Sequence, residues 1–112
     1  MAVTKRVFLP ETERVADATT FNNTYQAFGT PLDHPSRTLM FVSDSTVKVK
    51  ISWDGTNPAF TLLPGATVII DETSNTVAGV PLETREGTQI YIKGASAGGA
   101  GEEVYLSTFY AF

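Results

Sequence analysis

The sequence predicts an all-β fold, an antiparallel β-sandwich of jelly-roll-like or immunoglobulin-like type with about seven or eight short strands. Threonine, valine, isoleucine and the aromatic residues make up 43 of the 112 residues, and these types suit the pleated surface of a sheet. Nine glycines and six prolines interrupt the chain at short intervals. Between them, apolar and polar residues alternate with a period of two. Together these features disfavour a helical bundle.

Size, charge and the absence of cysteine exclude several function classes. A chain of 112 residues suits one domain. Without cysteine there are no disulfides, thiolate metal sites or cysteine nucleophiles. A net charge of -4 and a pI of about 4.8 argue against general binding to nucleic acid or anionic membranes. No apolar run could span a bilayer or serve as a signal peptide. We therefore expect an intracellularly made, mildly acidic globular protein.

The clearest strand lies at residues 46–53, where apolar residues alternate with Lys48, Lys50 and Ser52. It ends at the turn dipeptide Asp54-Gly55, and the apolar run at 59–63 closes a hairpin. Residues 64–65, Pro-Gly, fit the central positions of a type II turn, and 66–71 form the next strand.

A strand at 37–43 precedes this hairpin, and its residues are apolar or β-branched on both faces, which suits a central strand. Residues 36–71 therefore read as a meander. Residues 72–87 have no period and are expected to cross between the sheets. Strands at 88–93 and 103–112 follow, with the small-residue loop 94–101 between them.

The amino-terminal part is less regular. Residues 19–28 form a weaker strand, and residues 3–9 are an edge strand or an extended arm. Residues 10–13, Pro-Glu-Thr-Glu, resemble the first turn of a helix. We divide the chain into an arm or edge segment, 1–17, and a β-sandwich domain, 18–112.

No group of residues predicts catalysis, a metal or a cofactor. The single histidine, His34, is interpreted as a solvated loop residue, because a catalytic triad needs three groups brought together in space. The carboxylates are scattered, so a metal site is not expected. The glycine-rich loop 94–101 lacks the Lys-Ser/Thr ending of a phosphate-binding loop. We predict that the protein is not an enzyme.

Three features leave alternatives open. Lys48 and Lys50 form a short basic stripe that either faces water to discourage edge aggregation or binds phosphate. Trp53 is either a core or rim residue or a carbohydrate-facing one. The aromatic end of the chain, 109–112, docks in its own sheet or against another subunit.

The order of these motifs resembles small virion proteins of tailed bacteriophages. The resemblance rests on residues 36–43, 47–55 and 62–67, in which a strand ending in an aromatic-Asp-Gly turn is followed by an apolar strand, a Pro-Gly turn and another strand. Residues 87–93, the glycine-rich loop and 104–107 continue the pattern. The similarity extends from residue 36 to the end of the chain.

The resemblance implies a head decoration or cement protein of the staple type found in short-tailed phages. Such proteins sit on the outer surface of the head, bridge subunits of the major capsid protein and are often homodimers or other homo-oligomers. They carry no catalytic residue. We expect the same location and partners here, with neither nucleic acid nor membrane bound. The family has no site motif that gives the contact residues, so the candidates are taken from the amino-terminal arm and the aromatic end of the chain: Val3, Val7, Phe8, Leu9, Tyr110 and Phe112.

Two other classes stay open. The same fold could serve in the neck, tail or fibre apparatus as an adaptor or glycan-binding module. A small enzyme or an unrelated binding domain is the third reading.

Overall fold

The computed structural model describes residues 8–72, 76–77, 80–81 and 84–111. These residues contain β-strands and one short 3₁₀ helix, Ala18–Thr20, and no α-helix. The strands are β1 Phe8–Pro10, β2 Arg14–Asp17, β3 Gln26–Ala27, β4 Thr38–Asp44, β5 Val49–Ser52, β6 Pro58–Leu62, β7 Thr67–Asp71, β8 Thr76–Val77, β9 Val80–Pro81, β10 Tyr91–Gly94 and β11 Glu103–Ala111.

Nine of the strands form two antiparallel sheets that pack as a sandwich. Sheet I has the order β1-β11-β4-β7, with β2 also paired to β11, and sheet II has the order β3-β10-β5-β6. The pairs are nested along the chain: β2 with β11, β3 with β10, β4 with β7, and β5 with β6. Such nesting arises when one long antiparallel hairpin is rolled into two sheets, which is the jelly-roll arrangement. The predicted all-β sandwich is confirmed.

The core lies between the sheets and is formed by the inward residues of each alternating pattern. Its largest fully buried side chains include Phe28, Phe41, Ile51, Leu62, Ile92 and Leu106. Phe41 contacts Phe60 edge to face with ring centroids 5.2 Å apart, and Trp53 lies 6.2 Å from Phe41. Trp53 is partly buried against this core, which confirms the core or rim alternative.

The meander predicted over 36–71 is wrong, although its strands lie close to the expected positions. β4 and β7 pair in sheet I, whereas β5 and β6 form the predicted hairpin in sheet II. The chain therefore changes sheet before β5 and after β6. The turn at residues 63–66 is confirmed, since the Ala66 N–H donates to the Leu63 carbonyl at 3.0 Å and Gly65 has φ +72°. It connects the two sheets instead of adjacent strands.

The predicted helical turn at 10–13 is also wrong. Residues 11–13 are an irregular link between β1 and β2, and both strands pair with β11, so the described part of segment 1–17 is an edge of sheet I. A strand edge offers backbone partners that a single helical turn lacks, and the Glu11 N–H donates to the Thr108 carbonyl at 3.0 Å. Strand 19–28 shortens to β3, because the 3₁₀ helix, capped by Asp17, takes its first residues.

Candidate binding surfaces

The outer face of sheet I carries a group of apolar side chains, here called the apolar face. Tyr105 of β11 lies between Val15 of β2 and Val42 of β4, and Met40 lies opposite Ile69 of β7. Ile69 is 59% exposed and Val15 is 44% exposed, while the others are half-buried. The apolar face consists of Val15, Met40, Val42, Ile69, Tyr105 and Phe109.

A row of carboxylates borders the apolar face at one end. Glu103 lies opposite Asp17 on one side and Asp44 on the other, so three acidic residues occupy neighbouring strands. The Tyr105 hydroxyl donates to Glu103 at 2.8 Å, and this hydrogen bond, with the nearby negative charges, raises the pKa of Tyr105. Like charges side by side on a sheet are unfavourable without a partner of opposite charge. This end of the face is therefore suited to a basic surface.

The arrangement has the features that protein-docking surfaces share. Monomeric proteins rarely leave contiguous apolar groups exposed, and such groups with a polar rim mark interaction sites. A rigid sheet holds them in a fixed array, so little side-chain order is lost on binding. The sequence indicated the apolar character of this surface in β4, which is apolar on both faces and was therefore expected to be covered on both. The structure leaves the outer one uncovered by other described residues.

A buried ion pair joins Glu11, in the irregular link after β1, to Arg14 of β2, and both side chains also bind the loop before β4. Arg14 and Glu11 are 2.9 Å apart, and their side chains are only 4% and 3% exposed. The Arg14 guanidinium also donates to the Thr30 carbonyl at 2.8 Å, the Pro31 carbonyl at 3.0 Å and the Thr108 hydroxyl at 3.1 Å. This pair fixes the loop against the edge of sheet I.

His34 is attached to the same carboxylate. Its backbone N–H donates to Glu11 Oε2 at 2.8 Å, and its Nδ1 lies 3.1 Å from the same oxygen. The imidazole stacks on Tyr110 with ring centroids 3.7 Å apart and planes within 6°. Ser36, the nearby hydroxyl, donates instead to the Thr38 and Phe109 carbonyls. His34 is therefore exposed, as expected, but held in place, and the nearby Ser36 hydroxyl is turned to backbone carbonyls.

Two of the predicted contact residues, Leu9 and Tyr110, lie near this edge. Tyr110 is half-buried beneath His34, and Leu9 lies opposite Tyr110 across β1 and β11. The Phe8 backbone pairs with that of Ala111. The side chain of Phe8, and the residues Val3, Val7 and Phe112, lie outside the described part of the structure. Tyr110 and Leu9 occupy an inward position of β11 and β1, whereas the apolar face is on the other side of the sheet.

Within the described ranges, no group of three histidine, aspartate or glutamate side chains could hold a metal ion. The same residues include no helix long and apolar enough to cross a membrane. The fold and surfaces define a jelly-roll sandwich with one apolar outer face. Comparison of the sequence with protein-family models and with curated proteins gives no match.

We expect the protein to lose stability in acid, because the ion pair stabilises the fold only while Glu11 is ionised. Burial alone would raise the pKa of Glu11, but hydrogen bonds from Arg14, the Asp33 backbone and His34 outweigh it and lower the pKa below its ordinary value of 4.5. The resulting stability is present above about pH 4.5 and is lost as the pH falls through the lowered folded-state pKa.

The measurement is urea unfolding of the wild type and Glu11→Gln between pH 7 and pH 3. The stability difference between them should shrink as the pH falls below the unfolded-state pKa. Asp54 and Glu102 also have pKa values below their usual range, so the wild type keeps some acid dependence from groups other than Glu11. A difference that stays constant over this range would contradict the assignment.

Proposed function

We propose that this chain is a structural, non-enzymatic protein of a phage particle, a decoration or cement protein that binds the outside of the assembled head. The observation that supports it best is the apolar face of sheet I with its acidic border. The resemblance of residues 36–112 to small virion proteins points in the same direction. The partner on this proposal is the major capsid protein, and the location is the outer surface of the head.

The fold suits this role physically. A protein that binds the assembled shell but not its loose subunits stabilises the assembly by binding linkage. Each contact can be modest, because many copies act on one particle and an oligomer that spans two subunits gains avidity. A rigid sandwich transmits such a contact without a conformational change of its own.

The apolar face and the carboxylate row beside it together indicate what kind of partner surface would bind there. Burying Ile69 and Val15 against a partner supplies the hydrophobic contribution. The carboxylate row at Asp17, Asp44 and Glu103 selects lysine or arginine groups beside the apolar contact. We therefore expect the capsid protein to present apolar side chains flanked by basic ones at the docking position.

The test of location is the copy number of the chain in purified particles, measured by quantitative mass spectrometry against the major shell protein. A ratio of one per shell subunit, or a simple fraction of it, supports the decoration role. A copy number that corresponds to a single ring would place the protein in the neck or tail. Absence from the particle would refute a structural virion role.

Ile69→Lys should weaken attachment to the shell at least about tenfold, which corresponds to about 1.4 kcal/mol. The substitution places a charge at the most exposed residue of the apolar face and removes an apolar contact. Binding is measured by co-sedimentation of purified protein with particles that lack it.

Leu63→Lys is the matched control, because Leu63 is 55% exposed but follows β6 of sheet II, away from the apolar face. It should bind like the wild type, and both variants should unfold at similar urea concentrations. Unchanged binding of Ile69→Lys would show that another surface contacts the shell. The apolar face could instead bind a second copy of the chain. In that case analytical ultracentrifugation would show a dimer for the wild type and for Leu63→Lys, and a monomer for Ile69→Lys.

A further inference from the structure

Three lysines, two of them in neighbouring strands and one just before a strand, meet on the outer face of sheet II. Lys48 and Lys50 flank Val49 at the start of β5, and Lys93 lies in β10 directly opposite Lys50. They line an open pocket of about 250 Å³, here called the lysine pocket, together with Asn23, Thr61 and Ala95. All the lysines among the described residues therefore converge on one site, in a chain whose net charge is -4.

No acidic side chain among the described residues forms an ion pair with the lysines of the pocket. The strands of sheet II contain no aspartate or glutamate. Lys50 donates to the Thr61 hydroxyl at 3.1 Å, and the Lys93 ammonium lies 4.7 Å from the centre of the Tyr25 ring. The Lys48 carbonyl accepts a hydrogen bond from the Ala95 N–H at 3.5 Å, but its ammonium group has no hydrogen bond or ion pair with any described residue. Opposed like charges such as Lys50 and Lys93 destabilise a sheet, so an anion between them would relieve a real cost.

The donors of the pocket determine the chemistry of its ligand. Ammonium groups and the Thr61 hydroxyl offer hydrogen-bond donors and positive charge, which suits an oxygen-rich anion. Lysine acts as a point charge and does not require the two-pronged geometry of arginine, so several ammonium groups can surround a tetrahedral oxyanion. The volume is below that of a pocket for a drug-sized ligand, which fits one small charged group. A nucleic acid would need a longer basic track than three lysines.

We propose that the lysine pocket is a binding site for a doubly charged tetrahedral oxyanion, a phosphate or sulfate group, either free or carried by a small molecule or a saccharide. This site is separate from the apolar face of sheet I, because it lies on the opposite sheet. Its existence does not depend on the role of the chain in a virion.

The test is a titration of ¹⁵N-labelled protein with inorganic phosphate, followed by the backbone amide shifts of Lys50, Thr61, Lys93 and Ala95. Saturable shifts at these positions, with sodium chloride at equal ionic strength producing none, are the expected result. Lys93→Met should weaken phosphate binding at least about tenfold. Arg85→Met is the matched control, because it removes the same charge from an exposed residue that does not line the pocket, and it should leave the affinity unchanged.

Titrations with other anions identify which kind of molecule carries the bound group. Sulfate binding as tightly as phosphate would show that charge and shape suffice, and tighter binding of glucose 6-phosphate would assign the site to a sugar phosphate. Shifts that do not saturate, that sodium chloride reproduces, or that Lys93→Met leaves unchanged would overturn the proposal. Both variants expose their changed side chain to solvent or half-bury it, so folding is not at risk, and the amide spectrum verifies it.

Discussion

Replacing Arg14 with methionine is expected to lower the free energy of unfolding by about 3–5 kcal/mol. The change leaves the Glu11 carboxylate buried without its counter-charge, at a position where its side chain is only 3% exposed. It also removes the donors that satisfy the Thr30 and Pro31 carbonyls. Methionine retains much of the apolar stem of arginine, so the loss reports on the charge and its hydrogen bonds. Urea unfolding at pH 7 measures it.

Two further variants keep this prediction testable if Arg14→Met does not fold. Arg14→Lys retains the charge but not the planar set of donors, so its stability should lie between those of the wild type and Arg14→Met. The double variant Glu11→Gln with Arg14→Met removes both charges and should be more stable than Arg14→Met alone. A loss below about 1 kcal/mol for Arg14→Met, or a double variant less stable than the single one, would show that the pair does not hold this edge.

Most of the longer strands could be predicted from the sequence, but apart from the β5–β6 hairpin their partners could not. Alternation at residues 46–53 located β5, since period two is a local consequence of strand geometry. Whether β4 pairs with β5 or β7 depends on contacts between distant residues, and the same alternation fits either choice. Asp54-Gly55 predicted the hairpin of β5 and β6, which does lie within one sheet. The turn at 64–65 was identified by its Pro-Gly pair, which specifies local torsion angles but not which sheet the next strand joins.

The two surfaces differ in how far the sequence revealed them. Met40 and Val42 indicated an apolar outer side of β4, but only the sheet order adds Tyr105 and Ile69 to it. Lys48 and Lys50 were evident as a stripe. Lys93 joins them only because β10 pairs with β5, a long-range contact that no local pattern encodes.

The buried ion pair was not anticipated, because Glu11 lies in a segment that read as a helical turn. The proline and the acidic residues of this segment are compatible with the start of a helix and equally compatible with an irregular link. The structure shows that the Glu11 side chain instead accepts hydrogen bonds from Arg14 and from the His34 backbone. A polar side chain is buried where the fold brings hydrogen-bond partners to it. For Glu11, some of those partners come from a loop distant in the sequence, so a local pattern does not reveal them.

The charge distribution connects the two proposed sites. Sheet I presents Asp17, Asp44 and Glu103 on its outer face, whereas the strands of sheet II carry lysines and no acidic residue. A protein with opposite charges on its two faces has a preferred orientation as it approaches a charged surface. On the proposed function, sheet I would meet a basic region of the shell, and the lysine pocket would face outward.

Gly94→Ala is expected to destabilise the protein by about 1–3 kcal/mol, because the space for a side chain at this position is filled by Phe21. A Cβ at residue 94 would lie 2.6 Å from Phe21 Cγ and 2.7 Å from its Cβ, and both residues are buried. The phenylalanine cannot move its Cβ without shifting the backbone after the 3₁₀ helix, where the Asn23 N–H donates to the Gly94 carbonyl at 2.7 Å. Gly94 was expected to begin the glycine-rich loop, but it ends β10.

The sign of the effect is informative, because alanine in place of glycine ordinarily stabilises a strand by about 0.4–1 kcal/mol through the unfolded chain. A destabilised variant therefore shows that steric overlap exceeds this gain. Phe21→Ala opens the space, so Gly94→Ala should cost less in that background than in the wild type, by at least about 1 kcal/mol of coupling in a double-mutant cycle. Equal effects of Gly94→Ala in the two backgrounds would mean that Phe21 does not pack against residue 94.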